Sequence, residues 1–149
     1  MTKLTIFLKN NVLYIVLVIS WVATLGSLVF SEIVKLPPCD LCWYQRALMY
    51  PIAIITLVAH FIKDTRASKY YIFVLSLIGA LIALYHYIYQ LQYMQGINNP
   101  LIPCDPNNPC GEAQVIFLGF ITIPLMSFVA FATIIVLLLI SRHLNRKKS

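Results

Sequence analysis

Four long apolar blocks, each bounded by charge or proline, leave this chain few folds to choose from. Val12–Phe30 (VLYIVLVISWVATLGSLVF) runs 19 residues without a charge. At about 1.5 Å per residue it just crosses a hydrocarbon core about 30 Å thick. A second block ends at Ile62, a third is Tyr70–Tyr89 and a fourth is Val115–Ile140. The fourth has 26 residues, so its excess either tilts or lies along the surface before Pro124. A chain that spans hydrocarbon must satisfy its own backbone groups, and a helix does so within one segment. The expected fold is therefore all-α. It is a four-transmembrane-helix bundle, a single membrane domain over residues 1–149, with spans near 12–30, 42–62, 70–89 and 115–140.

Composition closes off the alternatives. Charged residues are 11% and hydrophobic residues 60%, against about 25% charged in a soluble domain. A cleaved signal peptide does not suit the first block, which exceeds a typical signal core and has no A-x-A-like cleavage site after it. The net charge of +6 does not mark a nucleic-acid partner, because the charges sit between and beyond the blocks, where membrane topology accounts for them.

Those charges set orientation. Lys3, Lys9, Lys63, Arg66, Lys69, Arg142, Arg146, Lys147 and Lys148 fall on one side, leaving only Lys35 and Arg46 of the 11 basic residues for the other. The positive-inside rule then puts both termini in the cytoplasm of a cell-membrane protein with two short extracytoplasmic loops. All four cysteines fall outside, Cys39 and Cys42 in the first loop and Cys104 and Cys110 in the second. That is the compartment in which disulfides persist.

The stretch PPCDLCWYQR (37–46) marks where the second span begins. Counted from Ala47 the block is short. Begun at Cys42 it reaches about 31 Å, with Trp43 and Tyr44 as interfacial aromatics. Pro37 and Pro38 suit an extended lead-in. Cys42 then lies near a helix N-terminus with Arg46 one turn deeper on the same face, an arrangement that lowers a thiol pKa. The third span runs the other way, so His86, three residues before Tyr89, should sit at Arg46's depth. Two polar groups beside a reactive thiol suggest a pocket for a lipid-soluble molecule with polar ends, such as a quinone. The plainer readings are that Arg46 snorkels, that His86 is a satisfied helix contact, and that Tyr85, Tyr87, Tyr89 and Tyr93 form an interfacial belt.

CDLCWYQR resembles the Cys-x-x-Cys and following arginine of the DsbB quinone-linked thiol oxidoreductases. The wider context resembles their smaller Gram-positive branch, the BdbC/BdbB disulfide formation proteins. The matching stretches are FSEI (30–33), PPCDLCWYQRALMYP (37–51), LYHYIYQ (84–90), the Cys104/Cys110 pair and LGFITIPLMS (118–127). The resemblance implies two redox disulfides, Cys39–Cys42 and Cys104–Cys110. The first is oxidised by a membrane quinone, menaquinone in the Gram-positive branch. The second oxidises an extracytoplasmic thioredoxin-like thiol oxidase of the DsbA/BdbD kind. Cys42 would face the quinone, Arg46 and His86 would belong to its site, and Cys104 would be attacked by the partner with Cys110 resolving. The second pair encloses only DPNNP, shorter than in the larger enterobacterial members. Structural disulfides lie below about −300 mV and a strongly oxidising thioredoxin-like protein near about −120 mV. Structural-type pairs would thus work uphill by about 180 mV, or about 8 kcal/mol for two electrons. The rival readings are a non-enzymatic membrane protein with structural disulfides and a four-cysteine zinc site, although zinc half-sites usually have closer spacing than the second pair. A coupling transporter is disfavoured because no Asp or Glu lies inside a span.

The charge asymmetry predicts that an impermeant maleimide labels the reduced native cysteines of intact cells, and that cysteines substituted into Lys63–Lys69 stay protected. Labelling of that loop from outside would reverse the orientation.

Overall fold

The computed structural model describes residues 3–62, 66–97, 101, 104, 110–111, 116–117 and 121–146. The remainder of the 63–69 loop, most of the 103–109 turn, Val115, residues 118–120 of the matched stretch, and Lys147 and Lys148 lie outside the described residues. Helix α1 (Lys3–Leu28) continues into a five-residue π-helical stretch, Val29–Ile33. It is followed by α2 (Asp40–Ile62), α3 (Arg66–Met94) and α4 (Ile123–Arg146). All four helices are long and apolar enough to cross a membrane.

Their packing forms a closed ring: α1 rests on α2 and α4, and α3 rests on α2 and α4. Contacts at the two ends give the up-and-down order. At one end Tyr14 of α1 lies beside His60 of α2, with ring centroids 6.2 Å apart, and Lys69 Nζ of α3 donates to Ser141 Oγ of α4 at 3.3 Å. At the other end are the C-termini of α1 and α3 and the N-termini of α2 and α4.

The core holds Val16, Ile52, Ile72, Phe131 and Ile134, all fully buried. Lipid offers no hydrophobic drive between helices, so small residues matter because they let backbones approach. Ala59, Ala80 and Ala83 line this core. Gly79 allows the closest approach, since a Cβ there would sit 2.5 Å from the Phe131 ring of α4. Two buried hydroxyls return to their own helices: Ser20 Oγ donates to the Leu17 carbonyl at 3.0 Å and Thr56 Oγ1 to the Ile52 carbonyl at 2.8 Å. The outer surface is apolar, with Val22 66%, Phe61 74% and Ile54 59% exposed, as lipid-facing side chains should be.

Several helix boundaries differ from the sequence expectation, and three of them bear on the site. The second helix begins at Asp40, not Cys42, because the Cys39 carbonyl already accepts the Trp43 N–H at 3.0 Å and Asp40 suits the positive end of the helix dipole. The third helix runs past Tyr89 to Met94, so His86 lies about two turns inside its end. The fourth starts at Ile123 rather than Val115. Pro124 then falls in the first turn, where its missing N–H has no helical partner to lose. Ahead of it, Ile116–Phe117 and Ile121–Thr122 form a short antiparallel ladder, Ile116 opposite Thr122 and Phe117 opposite Ile121. Pro51, by contrast, sits inside a continuous α2.

The Gly79–Phe131 approach predicts that Gly79→Ala costs about 1–3 kcal/mol by overpacking, measured as a shifted unfolding midpoint in detergent. Adding Phe131→Leu should recover part of that loss. An unchanged midpoint in Gly79→Ala would mean that α3 and α4 are not this close.

Candidate functional site

The irregular backbone gathers at one end of the bundle and carries the cysteines there. Beyond the π-helical stretch, Lys35 takes a left-handed conformation (φ 61°) and the Leu36 N–H returns to the Phe30 carbonyl at 3.1 Å. Pro37 and Pro38 deliver the chain to Cys39, whose carbonyl caps α2. Cys39 is buried and Cys42, one turn on, is half-buried. Both are free thiols with their sulfurs 2.8 Å apart. Trp43 and Tyr44 point outward.

The second pair is a disulfide, Cys104–Cys110, with Cα atoms 6.0 Å apart. It packs in one cluster with the first, together with Leu41, Tyr85, Tyr89 and Tyr93. The tyrosines repeat every four residues and so share a face of α3. Tyr85 and Tyr89 stack with centroids 6.3 Å apart. The Tyr85 hydroxyl accepts the Leu101 N–H at 2.8 Å, tying the second loop to α3. At Gly111 any Cβ would strike the Tyr93 side chain. These three tyrosines thus clamp the second pair instead of forming an outward belt, because α3 runs on past Tyr89 to Met94 and keeps all three on one helical face.

His86 stands between the pairs. It is 2% exposed. Its Nε2 lies 3.0 Å from the Cys110 carbonyl and 3.8 Å from Cys39 Sγ, and its Nδ1 lies 2.9 Å from the Gln45 amide nitrogen. Arg46 is also buried. Its guanidinium donates to the Ser27 carbonyl at 2.8 Å and lies 5.5 Å from the Trp43 ring centroid. Ser27 is in the last α turn before the π-helical stretch, where carbonyls lose regular partners.

Between α1, α2 and α4 is a cavity of about 470 Å³. Its walls are mainly apolar, with Phe30, Met49 and Met126 among them, and Cys42, Gln45 and Arg46 supply polar groups. His86 does not line it. The structure brings Cys42 and Arg46 to the cavity and sets His86 behind them, with Gln45 touching both.

The thiolate also falls elsewhere than the sequence suggests. The sequence points to Cys42, but the thiol drawn down is Cys39, to about 5. The Cys42 hydrogen bond is the largest cause, and a hydrogen bond from His86 adds to it against the opposing effect of burial. Two adjacent sulfurs share one proton, and the one that His86 also faces keeps the negative charge. Cys39, Cys42 and His86 offer three soft donor atoms within 4.8 Å of one another; Asp40, Cys104 and Cys110 form a similar group, but its sulfurs are bonded to each other.

Sequence reasoning missed Gln45, Ser27 and Gly111. Only Gln45 carried a signal: an amide inside an apolar span is costly unless it has a partner.

Two cysteine pairs packed together at one end of a four-helix membrane bundle, one as dithiol and one as disulfide, define a membrane thiol-disulfide oxidoreductase. The comparisons agree. The profile described as disulfide bond formation protein DsbB matches residues 9–141, and the chain belongs to that family. It is 44% identical over 132 residues to disulfide bond formation protein C of Bacillus subtilis (strain 168), covering 87% of this chain and 92% of the relative. It is 46% identical over 117 residues to the SPbeta prophage-derived disulfide bond formation protein B of the same organism, covering 78% and 75%. A probable disulfide formation protein of Oceanobacillus iheyensis is 42% identical over 140 residues, covering 93% and 94%. No solved structure matches.

With Cys104–Cys110 intact, thiolate ultraviolet absorbance should disappear on acidification with a midpoint near about 5. Above that pH Cys39 is charged and below it neutral. In Cys42→Ala the largest cause is gone, so the midpoint should rise toward the ordinary cysteine range. An unchanged midpoint would assign the charge to another source.

Proposed function

We propose that this protein is a quinone-linked protein-disulfide oxidoreductase. As one four-helix domain, with both termini cytoplasmic and its cysteines on the extracytoplasmic side, it reoxidises a thioredoxin-like dithiol partner. That supports disulfide formation in exported proteins. The observation that carries this reading is the continuity of the site: the disulfide pair, the dithiol pair and the cavity touch in that order.

The relay balances. The partner's thiolate attacks Cys104 Sγ and Cys110 leaves as thiolate; the partner's second thiol then closes its disulfide and frees Cys104. Exposure supports this order, since Cys104 is half-buried and Cys110 is 1% exposed. The Cys110 thiolate next attacks Cys39 Sγ, expelling Cys42. Cys104 then closes on Cys110 Sγ and Cys39 leaves. One disulfide has formed and one has opened, with one thiol proton moved to the Cys39–Cys42 pair and one released to water. The arrangement with Cys104–Cys110 bonded and Cys39 and Cys42 free is the one this exchange would leave, which supports the order.

The cavity suits a quinone, menaquinone in this branch. Its volume falls in the range of about 300–1,000 Å³ usual for ligand pockets. Thr24 Oγ1, in its wall, is buried without a partner among the described residues. Bound there, the quinone supplies a two-electron, two-proton acceptor. Cys42 presents the sulfur, Arg46 offers donors to a quinone oxygen, and the apolar walls keep water out.

Anaerobic stopped-flow with purified protein, menaquinone and a reduced thioredoxin-like partner tests this. The wild-type protein should reduce the quinone at the partner's expense. Arg46→Ala should raise the quinone KM on the order of tenfold, the worth of one charged hydrogen bond. Cys110→Ser should accumulate a partner adduct through Cys104. An adduct through Cys110 in Cys104→Ser, with none in Cys110→Ser, would reverse the order, and no quinone reduction by wild type would end the proposal.

A further inference from the structure

Gln45 is 6% exposed and lies inside a membrane helix. Its amide nitrogen is 2.9 Å from His86 Nδ1. On the far side of the ring, Nε2 is 3.0 Å from the Cys110 carbonyl. A carbonyl only accepts, so Nε2 must carry the proton in that contact. In a neutral ring Nδ1 is then bare and accepts, and the Gln45 amide donates to it. The two contacts agree on one tautomer, the Cys110 carbonyl from the Nε2 side and Gln45 from the Nδ1 side.

That choice has a consequence at Cys39. Its sulfur lies 3.8 Å from the same Nε2, so the proton held toward Cys110 also faces Cys39. In the other tautomer Nε2 would show a lone pair to both a carbonyl oxygen and a thiolate, which repels on both sides. We propose that Gln45 is a positioning residue for transfer between the two cysteine pairs. It holds His86 in the Nε2–H tautomer, so that one N–H both secures the Cys110 backbone and stabilises the Cys39 sulfur as it departs. This rests on the relay above. When Cys104 closes on Cys110 Sγ, the electron pair of the breaking bond goes to Cys39, which faces the Nε2 proton. His86 gives up no proton in that step: Cys39 keeps the negative charge, and Cys42 takes from the thiols being oxidised the one proton that the two sulfurs share.

Nothing beyond these contacts orients the ring among the described residues. Among the described residues, the hydrogen bonds to His86 come from Gln45, Cys39 and Cys110. The nearby tyrosines, Tyr85 and Tyr89, are stacked on each other beside the second pair. Buried side-chain partners of this kind set which nitrogen of a histidine acts.

The test uses the full chain in quinone-free lipid nanodiscs, both pairs oxidised, mixed anaerobically with one equivalent of reduced thioredoxin-like partner. Acid quenching, alkylation and peptide mapping follow two phases: opening of Cys104–Cys110, then opening of Cys39–Cys42. Gln45→Met should slow the second phase on the order of tenfold and spare the first. Because quinone is absent, the residue's place in the cavity wall does not enter. Nitrogen NMR of isotope-labelled histidine, with His86→Gln to assign the signal against His60 and His143, should show Nε2 protonated and Nδ1 bare in wild type. It should show mixed tautomers in Gln45→Met and a protonated Nδ1 in Gln45→Glu, whose carboxylate only accepts. The wild-type spectrum needs no variant to fold, and a protonated Nδ1 there overturns the proposal. So does a second phase in Gln45→Met as fast as in wild type. If wild-type Cys39–Cys42 never opens, the relay itself fails, which is a different result from a relay that runs without Gln45.

Discussion

Backbone polar groups in hydrocarbon must be satisfied within the protein, and the whole arrangement follows from that constraint. It forces the four spans to be helices and leaves irregular backbone for the ends. At one end the π-helical close of α1, the Pro37–Pro38 lead-in, the loop with the second cysteine pair and the ladder before α4 all converge. Loosened backbone there supplies what a reactive site needs: the Ser27 carbonyl for Arg46, the Cys39 carbonyl that accepts the first bond of α2, and the Cys110 carbonyl against His86. The apolar bundle is the frame, and the chemistry occupies the end where the described backbone departs from it.

Polar side chains at that end are buried in a connected set. Arg46, Gln45 and His86 are each within a tenth of full burial, which is costly for isolated groups in a membrane helix. Each has a partner that keeps it in one orientation. The consequence is a division of labour along α2: Cys42 and Arg46 face the cavity, while Cys39 faces His86 and the second pair. A helix that starts at Asp40 makes this possible, because it separates the two sulfurs of one Cys-x-x-Cys across its first turn.

Much of this was legible in the chain. The four apolar blocks gave four helices, since hydropathy over about 20 residues admits one structural answer in lipid. The cysteines, Arg46 and the family were readable from CDLCWYQR, because sequence-near residues on one helix turn have fixed relative positions. The start of α4 was not legible: Val115–Ile140 is apolar throughout, and hydropathy does not distinguish a short ladder from a helix turn. Nor was the inward turn of Tyr85, Tyr89 and Tyr93, which depends on α3 running past Tyr89 to Met94.

The sequence by itself determined what is local: membrane helices, the spacing of Cys39, Cys42 and Arg46, and the pairing of a Cys-x-x-Cys with a second cysteine loop. Tertiary structure alone decided what lies between distant segments. It put His86 between Cys39 and Cys110 instead of at the cavity, made Gln45 the link from cavity to histidine, and moved the thiolate to Cys39. The physical reason is that hydropathy and helix periodicity fix a residue's depth and face along its own helix. They do not fix the rotation of one helix against its neighbour, and a few tens of degrees of that rotation decide whether an imidazole meets a ligand cavity or a sulfur atom.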